Sequence, residues 1–252
     1  RLVTATLTRG SVPWNSPIVI RYANTYAPYV AEEETVWVRV NGEPPRTAPR
    51  LVTSPGEAVA MRVIVPSFAT PGKPFDVLIV SLDRFDNCSA TSFQGQTLST
   101  SDGRVIQDNL SFTGSAKIPV TLDEEGTYRF RVGDTLSNAA QVKKSAQRVY
   151  WGDLHIHTKL SHDGMGNDPY GYARDVSGLD FGAACDHVES LGKDGYEQLL
   201  EWAEDADEPG RFVSILADER IPPITGHHNM YFRCVDAFLG GASWEGKRQI
   251  TA

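Results

Sequence analysis

The chain has 252 residues, 40% of them hydrophobic and 22% charged, with a formal net charge of −8. Those proportions describe a globular protein with room for one large domain or two ordinary ones. The acidic balance and the lack of any basic run argue against a nucleic-acid or membrane surface, and no apolar stretch approaches the roughly 20 residues that span a bilayer. No signal peptide is visible. The chain opens on Arg1 rather than Met, so the expectation is a processed or trimmed soluble protein, with periplasmic, secreted and cytoplasmic locations all open.

Residues 1–148 read as β. "LVTATLT", "PIVIRYA", "TVWVRVNG", "AVAMRVIVPS", "FDVLIVSLD", "AKIPVTL" and "TYRFRVGD" are short runs rich in Val, Ile, Thr and aromatics. Several alternate with period two, and "TPGKP", "RFDN", "SDG" and "DEEG" punctuate them. Many short strands between turns predict an all-β, immunoglobulin-like sandwich. Residues 1–50 read as a partial β-unit and 51–148 as the immunoglobulin-like unit.

From Val149 the texture changes to alternating strands and helices. "VYWGDLHIH" reads as a strand. "NDPYGYARDVSG" reads as a helix, with Asn167 or Asp168 as its cap, Pro169 in the first turn and Gly178 as the stop. "LDFGAACDH" is a continuous apolar run, as for a strand covered on both faces. "DGYEQLLEWAEDA" places Tyr196, Leu199, Leu200 and Ala203 on one helical face. "RFVSILADE" and "HNMYFRCV" are further strands, and the β-α-β-α-β order predicts parallel pairing. Cys88, Cys185 and Cys234 are too few for a disulfide scaffold, and Cys185 and Cys234 read as small packed hydrophobes.

All six histidines lie in this second part: His155, His157, His162, His187, His227 and His228. The first strand ends in His155-Ile156-His157, the second in Asp186-His187, the third in Asp218-Glu219. Carboxyl ends of parallel strands line one face, which is where such folds place chemistry. Residues i and i+2 of a strand point the same way, so His155 and His157 converge with Ile156 turned to the core. Asp163 sits in the following loop and can fold back. His187, Glu219 and His228 complete a set suited to Zn, Mn or Fe. Of the adjacent pair only one can point inward. His228, which begins a strand, is taken as the ligand, and His227 as facing substrate or steadying a ligand. Taken singly, Asp186-His187 fits a core pair and Glu219-Arg220 a surface ion pair; it is their joint placement that points to metal.

"GDLHIHTKLSHDG", "LDFGAACDH" and "GHHNMYF" together resemble the PHP (polymerase and histidinol phosphatase) superfamily. The resemblance is closest to a branch described as a domain of unknown function, in which a β-sandwich region precedes a WGDLHxHT strand. It implies a distorted β/α barrel over residues 149–252 and up to three divalent ions on His155, His157, Asp163, His187, Glu219 and His228. It also implies hydrolysis of a small-molecule phosphate ester. That part holds about half the residues such a barrel wants, and no histidine follows His228, so a further segment or a partner chain is expected to complete the site. Asp186, His162 and His227 are the candidate general acids or bases. Lys159 and Arg220 are candidates to neutralise a phosphate. Two other readings stand beside it: an amidohydrolase-like enzyme cleaving a C–N or C–O bond, and a non-enzymatic β-sandwich binding module.

Overall fold

A computed structural model describes residues 26–241 apart from 37, 44, 146 and 223, with 6, 8–13, 16 and 19 ahead of them. The strand readings over "LVTATLT" and "PIVIRYA" lie outside the described residues, apart from isolated positions. The first half carries β1 (Glu33–Thr35), β2 (Arg50–Val52), β3 (Ala60–Ile64), β4 (Phe68–Ala69), β5 (Pro74–Leu82) and β6 (Ser92–Thr100). Then come β7 (Val105–Thr113), β8 (Ser115–Thr121), β9 (Gly126–Tyr128), β10 (Phe130–Val132), β11 (Thr135–Leu136) and β12 (Ala140–Val142).

β1 and β2 pair as an antiparallel ribbon. Seven strands form an antiparallel sheet in the order β11-β10-β6-β7-β8-β5-β3, and β4-β12-β9 form a second sheet. Side chains from both enclose one core, built on Val77, Ile79, Leu98, Phe130, Ala140 and Val142. Two sheets over one core make this region a β-sandwich. The run "TYRFRVGD" is split, because β9 and β10 belong to different sheets and the chain crosses between them at Arg129. β6 and β7 escape the sequence reading. Their segments, "SFQGQTLST" and "VIQDNLSFT", are largely polar, and each buries few side chains.

The "VLIV" of "FDVLIV" is apolar throughout because both its faces are covered. Val77 and Ile79 enter the sandwich core. Leu78, Val80 and Leu82 point the other way, onto Val176 of the second half. Burying one such side chain is worth about 1.5–3 kcal/mol. The polar links across this seam include Lys117 Nζ to Asp175 at 2.7 Å, Tyr172 Oη donating to the Asp86 carbonyl and Trp151 Nε1 donating to Ser67 Oγ. Exposed ion pairs are worth at most about 1 kcal/mol, so apolar contact dominates the seam. Gly178 is required there: its φ is +66° and an added Cβ would lie 2.8 Å from Ile64 Cγ2.

Asp83 organises the turn after β5. Its carboxylate accepts from the backbone N–H of Gly56, Phe85 and Asn87 at 2.8, 2.8 and 3.0 Å. Burial pushes this carboxyl up, but the hydrogen bonds from Asn87, Gly56 and Phe85 outweigh it and leave it below its ordinary value of 3.8. A depressed folded value means stability that is present above the unfolded value and lost as pH falls through the folded one. Asp83→Asn should therefore cost about 1–3 kcal/mol at neutral pH. Urea titrations at about pH 7 and pH 2 should show the variant losing less stability on acidification than the parent. Equal losses would remove this role from Asp83.

The second half carries β13 (Gly152–Ile156), α1 (Pro169–Asp175), β14 (Phe181–Ala184), α2 (Val188–Ala206), β15 (Val213–Arg220), β16 (His228–Phe232) and α3 (Val235–Gly241). The sheet order is β13-β14-β15-β16. The first two pairings are parallel and the last antiparallel. The Asp168 side chain caps α1 by accepting from Gly171 N at 2.7 Å, with Pro169 in the first turn. α2 begins before its periodic stretch and kinks at Gly192. Tyr196, Leu199 and Ala203 bury its inner face. The reading of 228–235 as one strand is corrected: β16 stops at Phe232, and α3 turns Phe238 into the core. Cys185 is buried as expected, whereas Cys234, in the turn between these elements, is exposed. No helix among the described residues is long and apolar enough to cross a membrane.

Candidate metal centre

α1 and α2 cover one face of the four-stranded sheet, packing on Ile156, Ala184 and Leu216. The metal-capable side chains leave the other face. β14 and β15 pair in register, Ala184 with Leu216, and a bridge between His187 and Glu219 continues that ladder past the strand ends. His187 and Glu219 therefore emerge side by side above Cys185 and Ala217, which are fully buried. β13 carries one extra residue against β14, since Asp153 pairs with Gly182 but Ile156 with Ala184. This bulge turns Ile156 toward the helices and sends His155 and His157 to the open face.

The loop after β13 folds back on itself. Lys159 N donates to Gly166 O at 3.0 Å and Ser161 N to Thr158 O at 3.1 Å. Asp163 is thereby brought to His157 Nδ1 (2.8 Å) and His187 Nε2 (3.2 Å). Glu219 Oε2 lies 2.8 Å from His157 Nε2 and 3.2 Å from His155 Nε2, and Oε1 lies 2.5 Å from His227 Nδ1. Three overlapping groups result: His155–His157–Glu219, His157–Asp163–His187 and His187–Glu219–His227, each with ligand atoms within 4.8 Å of one another. His187 and Glu219 form a floor whose side chains are each 2% exposed, while His155, Asp163 and His227 stand at an open rim.

The electrostatics suit a cation. Burial pushes the Glu219 carboxyl up, but hydrogen bonds from His227 and His155 outweigh it and hold the group below its usual range. The hydrogen bond from His157 holds Asp163 far below its own. Burial pushes the His157 imidazole down, and the hydrogen bond and charge of Asp163, with those of Glu219, overcome it and raise the group. His187 Nδ1 is buried with no hydrogen-bond partner among the described residues. Glu219 Oε2 is 3.6 Å away from it. Leaving such a nitrogen unsatisfied costs about 1–3 kcal/mol, and a bound ion would satisfy it. The donor set fits zinc, manganese or iron.

The choice between the adjacent histidines is corrected. His228 pairs with Arg220 across the antiparallel ladder, and facing residues share a side of the sheet. It therefore lies on the helix side and joins none of the three groups, while His227, one residue earlier, reaches Glu219. His227→Ala should lower zinc affinity at least about tenfold, and His228→Ala should leave it unchanged. The reverse pattern in a chelator competition would restore His228 as the ligand.

Other assignments change as well. Asp186, a candidate acid or base, is fully buried and joins none of the three groups. Its carboxylate accepts from Thr158 N at 2.7 Å and Thr158 Oγ1 at 2.8 Å, while burial raises its pKa despite those bonds. It anchors the loop that carries Asp163. Arg220 binds Asp218 rather than Glu219, through Nε at 3.0 Å and a second nitrogen at 3.1 Å, on the side where Tyr196 Oη also donates to Asp218. Strand alternation puts Glu219 on the opposite side. Lys159 lies 3.9 Å from Glu34 of β1. His162 stacks on His187, with ring centroids 4.8 Å apart. The sequence reading missed Thr158 and Ser161, whose hydroxyls support the site; Ser161 Oγ accepts from His187 N at 3.1 Å. Their only signal was a hydroxyl residue beside each ligand-bearing segment.

No family model matches the chain, and no curated protein matches it. Several solved β-sandwich domains are similar to part of it. The PKD domain of an M14-like peptidase from Thermoplasmatales archaeon SCGC AB-540-F20 is 15% identical, covering 33% of this chain and 93% of that one, with a TM-score of 0.24. The CARDB domain of a Pyrococcus furiosus protein, in complex with di-metal ions, is 12% identical over 36% of this chain and 93% of that one, with a TM-score of 0.25. The Lin-41 filamin domain is 13% identical over 37% of this chain and all of that one, with a TM-score of 0.28. At these scores the sandwich rests on its own strand pairing and shared core.

Proposed function

We propose that residues 149–252 form part of a PHP-type metallohydrolase unit, a distorted β/α barrel in partial form, that hydrolyses a small-molecule phosphate ester. The observation that carries this reading is the convergence of six ligand-capable side chains, over a buried floor and an open rim, at the carboxyl ends of β13, β14 and β15 and the start of β16. His155, His157, Asp163, His187, Glu219 and His227 would hold up to three divalent ions. Ions held there would supply Lewis-acid chemistry, activating water and neutralising phosphoryl charge.

The remaining work falls to the chain itself. Glu219 and His187 set the floor, and Asp186 with Thr158 fixes the loop that delivers Asp163. His162, stacked at the edge of His187, is the histidine outside the ligand set best placed to pass a proton to a leaving oxygen. With Asp186 held by Thr158 and His227 among the ligands, it is the remaining candidate of the three.

The test is metal content by mass spectrometry on the purified chain, beside the His155→Ala/His157→Ala double variant, followed by a panel of aryl phosphates, esters and amides. About two or more equivalents of metal, lost in the variant, with turnover of phosphates alone, is the expected result. Turnover confined to esters or amides would favour the amidohydrolase-like reading. Metal below about half an equivalent in both proteins after reconstitution would overturn the metal site.

A further inference from the structure

A cleft of about 1020 Å³ lies at the seam between the sandwich and the second half. One wall comes from the β3–β5 region, and the other from residues 148–151, 177–180, 208, 210 and 211. Those last segments lead into β13, β14 and β15. The cleft therefore sits at the amino ends of the strands, at the opposite end of the sheet from the histidine rim. Clefts between structural units are a usual place for small-molecule sites.

Two adjacent aromatics, Tyr150 and Trp151, line it and are each 60% exposed. Trp151 is locked in place. Its indole N–H donates to Ser67 Oγ at 2.7 Å, its backbone N–H donates to Asp180 Oδ2 at 2.8 Å, and its carbonyl accepts from Asp180 N at 2.7 Å. A rigid aromatic held out to water offers a large contact area at little entropic cost. Of the charged residues that line it, Arg62 and Lys117 are paired with Asp86 and Asp175, and Arg211 and Asp180, one of each sign, are bound to backbone groups. Lys73 and Arg148 then stand against Asp76 and Glu208, all four exposed. An anion or a cation would meet repulsion from one of these pairs, and an apolar ligand would strand all four.

We propose that this cleft binds a neutral oligosaccharide. Sugar rings present C–H faces that stack on Tyr150 and Trp151. Their hydroxyls both donate and accept, so they can donate to Asp76 and Glu208 and accept from Lys73 and Arg148. The site needs no metal and stands apart from the hydrolase reading.

Isothermal titration of the whole chain with cello-, xylo-, manno-, malto- and chito-hexaose, and with hexagalacturonate as the acidic control, tests this. At least one neutral hexaose should bind, with little change in affinity between low and high salt. Tyr150→Ala and Trp151→Ala should each weaken it about tenfold or more. Because Trp151→Ala also removes a seam contact, Glu208→Gln, on an exposed side chain, provides an independent variant and should weaken binding severalfold. His155→Ala should leave binding unchanged. No binding by any neutral hexaose at millimolar concentration, binding by the acidic control alone, or binding that survives all three cleft substitutions would overturn the proposal.

Discussion

If the proposed metallohydrolase reading holds, Glu219→Gln should strip the cluster of at least one divalent ion, weaken the rest about a hundredfold, and abolish the proposed phosphoester hydrolysis. Glu219 is the carboxylate common to two of the three ligand groups, and its oxygens lie within 3.2 Å of His155, His157 and His227. Glutamine keeps the size but loses the charge. It also replaces one acceptor oxygen with an NH₂ donor aimed at imidazole nitrogens. The fold should survive, because β15 is held by backbone pairing to β14 and β16, in which Glu219 faces Asn229. Zinc titration against a chelating dye, with far-UV circular dichroism as the folding control, reads both effects. A folded variant with the parent's metal content and affinity would remove Glu219 from the ligand set.

Gly164→Ala should have the next largest effect, without touching a ligand. An added Cβ would lie 2.2 Å from the Thr158 carbonyl oxygen and 2.6 Å from the His157 carbonyl carbon. Both are backbone atoms, so no flexible side chain can swing aside. The loop must open by roughly an ångström, at a local cost of about 1–3 kcal/mol. Asp163 is the adjacent residue, and its bonds to His157 and His187 depend on that tight return. We expect loss of the ion proposed for His157, Asp163 and His187, with the sandwich melting unchanged. Full metal content in a stably folded Gly164→Ala protein would show that the loop can adjust and that Asp163 does not need this geometry.

The strand-helix alternation, the Asp168 cap and the convergence of the histidines at 155 and 157 on one side were readable from local pattern. Each depends on spacing along one segment. "FDVLIV" also announced a strand, but its apolar run did not say that Leu78, Val80 and Leu82 would meet Val176 across a seam. β6 and β7 were missed because their polar composition lacks the periodic apolar signal. Arg220 looked available to a substrate in a linear reading. Its binding to Asp218 followed only once alternation along β15 separated it from Glu219.

The amino-acid pattern alone settled which residue types gather at the strand ends, and hence the metal-binding chemistry open to them. It could not settle on which side of the sheet each one emerges. That is a matter of parity, and parity belongs to pairs of strands. The bulge in β13 exists only relative to β14, and the facing of His228 by Arg220 exists only relative to β15. A shift of one residue in either register moves a histidine from the open face to the helix face. His227 rather than His228 reaches Glu219 for that reason: side-chain direction in a sheet is fixed by the neighbouring strand's hydrogen bonds, which no single segment of sequence contains.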